Sequence, residues 1–143
     1  MRRLGYPFAL ACGVLVSGLI AIPDLAQEAS TARVVANLNC TSHSANPKEL
    51  KAYSADLEFN LASTLLTVDR KTPEGGEEKF RGIVSPTGAM LIAGQGKAAD
   101  GASWTYEFSG NKKPRGVTIL KGSLRSERPK GTRTCSLTFS DQF

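Results

Sequence analysis

The side chains that could do chemistry in this sequence are one histidine, a few paired carboxylates, three cysteines and a run of cations. His43 is the sole histidine and lies in the polar run Thr41–Asn46. A serine or cysteine nucleophile needs such a base within hydrogen-bond reach, itself oriented by a third group. No motif places an Asp or Ser beside His43, so it reads as a surface side chain. Asp56 and Glu58 alternate onto the polar face of one strand, opposite Leu57 and Phe59, and Glu77 and Glu78 follow Gly75 and Gly76. A two-carboxylate hydrolase needs its acids flanking a cleft. A solvated strand face and a polar hairpin loop account for these four without one. No G-x-S-x-G, H-E-x-x-H or P-loop pattern occurs. No catalytic residue, cofactor or metal site is therefore expected.

The cysteines say more. Met1, Arg2 and Arg3 open a leader whose apolar run, Phe8 to Ile22, ends at Pro23; residues 1–26 read as a secretory signal cut after Ala26, with Ala21 and Ala29 as alternatives. That run is shorter than the roughly 20 residues a membrane span needs, so no transmembrane segment is expected in the mature chain, residues 27–143, which reads as one β domain. Export to the periplasm or outside the cell removes Cys12 and leaves Cys40 and Cys135, expected to form a disulfide in an oxidising compartment.

Charge is lopsided. The full chain carries +5, and loss of Arg2, Arg3 and Asp24 with the leader leaves +4. Between Asn111 and Arg133, Lys112, Lys113, Arg115, Lys121, Arg125, Arg128, Lys130 and Arg133 face the single acid Glu127. Such a field attracts anions. If the last two strands pair, Lys121, Arg125 and Arg133 are expected to share a surface with Arg128 and Lys130. A solvated polar face is the plainer reading of the same residues.

The elements that must position these groups are strands. From Arg33 onward apolar residues alternate with polar ones and are interrupted by turn residues. Val34, Ala36, Leu38 and Cys40 share one face; so do Trp104, Tyr106 and Phe108, and so do Cys135, Leu137 and Phe139. The Trp104 face reads as core packing, although a wide interior would make it a ligand platform. Further strands are expected at about 55–60, 64–70, 77–84, 88–94 and 116–126, with an ambiguous boundary at Asn60–Ser63, where no Gly or Pro marks a turn. Ser85-Pro86-Thr87-Gly88 and Arg128-Pro129-Lys130-Gly131 are expected to form tight hairpins. Asn46, Pro47 and Glu49 have the spacing of a helix start and predict a short helix over residues 47–53. Asn39-Cys40-Thr41 matches a glycosylation acceptor, but burial in a strand argues against its use.

Phe80–Gly94 and Phe108–Gly122 share the frame F-x-G-x3-P-x-G-x5-G at an offset of 28. Turn and bulge geometry is the preferred cause, ahead of a ligand motif. A meander whose first and last strands are tied by Cys40 and Cys135 predicts a small all-β antiparallel barrel of seven or eight strands, with a two-sheet sandwich as the alternative. The expected function is a non-enzymatic exported binding module. Its partner would be an anionic envelope polymer, a small ligand or a protein, with nucleic acid not expected. A protein inhibitor or structural partner is the alternative, and a carboxylate hydrolase ranks last.

Overall fold

Alternating strands bury one face only if the sheet packs on another layer or curls onto itself, and this chain curls. In a computed structural model, which describes residues 30–140 and 143, eight antiparallel strands run as β1 (Thr31–Cys40), β2 (Tyr53–Ala62), β3 (Leu65–Lys71), β4 (Glu77–Val84), β5 (Ala89–Lys97), β6 (Ser103–Asn111), β7 (Thr118–Glu127) and β8 (Lys130–Phe139). Each strand pairs with the next, and β8 pairs back onto β1 to close a barrel. The sandwich alternative is excluded by that closure. The expected leader, residues 1–26, lies outside the described residues. No helix among the described residues is long and apolar enough to cross a membrane.

Eight strands enclose a space that side chains just fill. Here Phe59, Phe80, Tyr106 and Phe139 run through it with Leu38, Leu57, Leu66, Met90, Leu120 and Leu137, all fully buried. Ring centroids step from Phe139 to Phe59 (5.7 Å), to Phe80 (6.2 Å), to Tyr106 (5.0 Å) and to Phe108 (6.0 Å). The repeat has a steric meaning here. Phe80 lies opposite Gly94 and Phe108 opposite Gly122, and a Cβ on Gly94 or Gly122 would stand 2.6 Å or 2.5 Å from the facing ring. These inner glycines make room for rings instead of bending strands. The turn reading holds for a second matched pair, Gly88 and Gly116, whose φ values of 89° and 82° lie in the left-handed region.

Three local expectations change. Residues 47–53 hold no helix: 47–50 form one turn, closed by Leu50 N–H donating to the Asn46 carbonyl at 2.9 Å, and Tyr53 already opens β2. The capping contacts exist, with Asn46 Nδ2 donating to Glu49 at 2.6 Å, but a single turn does not propagate without a face to bury, and Tyr53 is already claimed by Cys40 across the β1–β2 ladder. The Asn60–Ser63 ambiguity resolves as two strands joined by Ser63 and Thr64, with Ser63 at φ 57°. The β7–β8 hairpin is tight, but its loop is Arg128 and Pro129, joined by a cis peptide bond, while Lys130 and Gly131 belong to β8.

Cys40 and Cys135 face each other across the closing seam, Cα atoms 4.1 Å apart, with their sulfurs at bonding distance.

Candidate functional site

His43 is buried, not superficial, and it does have a serine beside it. Residues 41–44 continue along β8: Thr41 N–H donates to Thr134 O at 2.9 Å and Ser44 N–H to Thr132 O at 3.0 Å. This drops the imidazole over Gly131, where a Cβ would stand 2.2 Å from the ring. Nδ1 accepts from the Ala45 N–H at 3.1 Å, which assigns the proton to Nε2, and Nε2 donates to Ser126 Oγ at 2.7 Å. Ser126 in turn donates to the Pro129 carbonyl at 2.7 Å. A general base would have to accept from that hydroxyl. The polarity is reversed, and the pair instead pins the 41–52 loop onto the β7–β8 hairpin.

Glu78 is likewise not a loop carboxylate. It sits on the inner face of β4, two residues before Phe80, and is 3% exposed, while Glu77 points to solvent. Its Oε2 takes Arg70 Nη2 at 2.6 Å and Nε at 2.8 Å; its Oε1 takes Trp104 Nε1 at 3.0 Å and the Tyr106 hydroxyl at 2.7 Å. Tyr53 completes the cluster, 2.7 Å from the Tyr106 hydroxyl. Burial pushes the Tyr106 phenol far above its ordinary value, with neighbouring Tyr53 and Glu78 adding to it. Burial also raises Tyr53. Asp56 and Glu58 lie outward as expected, held by Asn37 at 2.8 Å and Arg33 at 2.7 Å.

The cluster closes the aromatic core at the barrel end where β2, β4 and β6 begin. Above it opens a cleft of about 460 Å³, walled by Tyr53, Arg70, Glu78 and Trp104 and by the loops after β3 and β5. Trp104 is half-buried in that wall and its indole occupies the space over Gly96, where a Cβ would stand 2.0 Å from the ring.

The basic set is distributed along the barrel. Lys112, Lys113 and Arg115 sit in the β6–β7 loop at the opposite end, Lys121 and Arg125 on the outer face of β7, and Arg128 and Lys130 at the β7–β8 turn. Arg133 does not share their surface. It pairs with Leu124 on the inner parity, donates to the carbonyls of Thr41 (2.8 Å) and Lys51 (2.7 Å), and lies 5.2 Å from the Tyr53 ring. Lys112 stands over the Phe143 ring at 4.5 Å. The other six are exposed and carry no ion pair among the described residues. Asn39 of the acceptor motif points outward, so burial does not protect it.

Fold and site define a class: a closed eight-stranded meander barrel with a packed aromatic core, a capped polar mouth and an unpaired basic outer band. No family model, curated protein or solved structure matches this chain.

Proposed function

We propose that this chain is an exported, non-catalytic binding module that holds an anionic envelope polymer along the outer face of β7. One observation carries the reading. Arg33, Arg70 and Arg81 are each held by a carboxylate, whereas Lys113, Arg115, Lys121, Arg125, Arg128 and Lys130 have none among the described residues. The outer residues of neighbouring β8 are Thr132, Thr134, Ser136 and Thr138, which bring no counter-charge, so Glu107 on β6 and Glu127 on β7 are the acids on this face and the cations outnumber them. Ten strand residues span about 30 Å, so the band offers several cations in a line to a polyanion. The reversed His43–Ser126 polarity supports a role without bond-making, and a disulfide suits an oxidising compartment.

The test is retention of the exported protein on heparin and lipopolysaccharide beads over a salt gradient. Changing Lys121, Arg125 and Lys130 together to Ser should bring elution to lower salt. Elution unchanged by that variant refutes the reading.

A second reading, a protein partner or inhibitor, is favoured by one different feature. Leu65, Ile83 and Leu91 stand side by side on adjacent strands of the outer wall, 45%, 60% and 66% exposed, and a contiguous apolar surface row is a usual mark of protein contact. Leu91→Asp should then abolish association with an envelope protein while leaving heparin retention intact.

A further inference from the structure

We propose that the mouth cleft is a binding site for an uncharged, hydroxyl-rich ligand, a neutral saccharide unit, received by Arg70, Tyr53 and Thr72 beside Trp104. This goes beyond the basic band, which lies on the outer wall.

The groups that open into the cleft define the ligand. Tyr106 spends its one proton on Glu78, so Tyr53 donates to Tyr106 and its own oxygen is left as an acceptor. Arg70 uses Nε and Nη2 on Glu78, and its Nη1 makes no hydrogen bond among the described residues. The Thr72 hydroxyl accepts from Gly76 N–H at 3.0 Å and keeps its proton to give. A ligand must therefore both donate and accept over a short distance, which hydroxyl groups do.

Charge selects further. Glu78 neutralises Arg70, and Glu74 at the rim adds a negative charge, so an anion is disfavoured. A cation such as an ammonium brings donors only and leaves Arg70 Nη1 without an acceptor. An apolar guest would strip water from Nη1 without replacing its partner, which is costly. Size agrees, since about 460 Å³ lies within the range of small-ligand sites. The cluster is also more elaborate than a plug needs: a buried ion pair is often no more stable than apolar side chains of the same volume. Here it fixes the rotamers of Arg70, Trp104 and Tyr106, as a preorganised site requires.

Trp104 is the sole tryptophan of the chain, so its emission reports on this cleft alone. The exported, disulfide-bonded protein is titrated with neutral di- and trisaccharides of glucose, galactose, mannose and N-acetylglucosamine, and with uronic-acid counterparts. A saturable emission change is expected with at least one neutral saccharide below about 10 mM, a range typical of weak binding. Tyr53→Phe, which keeps the ring, should weaken it about five-fold, the size of one hydrogen bond. Arg70→Lys, which keeps the charge and loses the fork, should weaken it at least as much. The inference is overturned by no response to any neutral saccharide, by tighter binding of the uronates, or by affinity unchanged in folded Tyr53→Phe. Heparin retention does not depend on the cleft, so the two readings fail separately.

Discussion

Tyr53 gives its hydroxyl proton to Tyr106 across 2.7 Å, and the direction is fixed because Tyr106 gives its own to Glu78. Both phenols are raised above their ordinary value of about 10, chiefly by burial. The folded barrel therefore keeps protons that the unfolded chain releases. Stability from these groups is full below about pH 10 and declines as pH rises beyond it. These are the only two tyrosines of residues 27–143, so near-ultraviolet phenolate absorbance of that segment should appear together with loss of the sheet signal. Reversible phenolate titration at pH 10 with the barrel intact would contradict the assignment.

Glu78→Gln removes the charge from a buried pair and points an amide N–H₂ toward two of the four donor atoms that the carboxylate accepts from. Breaking one partner of such a pair typically costs about 3–5 kcal/mol, and a urea midpoint shift of that order is expected. Glu77→Gln, on the exposed parity of the same strand, should change it by less than about 0.5 kcal/mol.

The inner glycines give a steric prediction. A Cβ on Gly122 would lie 2.0 Å from the backbone oxygen of Glu107, an atom that cannot rotate away. Gly75 has nothing within 4 Å of its Cβ position and resists substitution only through its φ of 82°. Gly75→Ala should cost about 1–2 kcal/mol. Gly122→Ala should cost more, at or above the upper end of the roughly 1–3 kcal/mol seen for overpacked cores. Equal melting temperatures for the two variants would count against this packing.

Reducing the Cys40–Cys135 bond releases a loop of 95 residues, for which chain entropy gives about 4–5 kcal/mol. The protein should unfold at markedly lower urea after reduction. Mass spectrometry should show the oxidised form two mass units lighter than the reduced one.

Ser126 should resist fluorophosphonate reagents, because its neighbour His43 holds a proton where a base would hold a lone pair. Labelling at Ser126 would reopen the case for catalysis.

Strand positions were legible because each strand alternates cleanly, and the seam because Cys40 and Cys135 are the only cysteines after residue 26. The mouth cluster was legible in part. Glu78 shares parity with Phe80, and Arg70 with Val68 and Leu66, so alternation alone turns both inward. Their charge, and the two glycines before Glu77, made a solvated loop the easier reading. The contact of His43 with Ser126 spans 83 positions and has no local signature. Only the route of the 41–52 loop along β8 creates it. The basic band was visible as composition, but the inward turn of Arg133 follows from register with Leu124, which a charge count does not contain.

The pairing of the first strand with the last also sets an order of events. Until Lys130–Phe139 has emerged, Thr31–Cys40 lacks one of its two neighbours and Cys40 lacks its partner. A chain still being made therefore presents an open ribbon, ready to stick to others, until β8 is in place. A truncation that removes β8 should accumulate as aggregate rather than as a smaller folded protein.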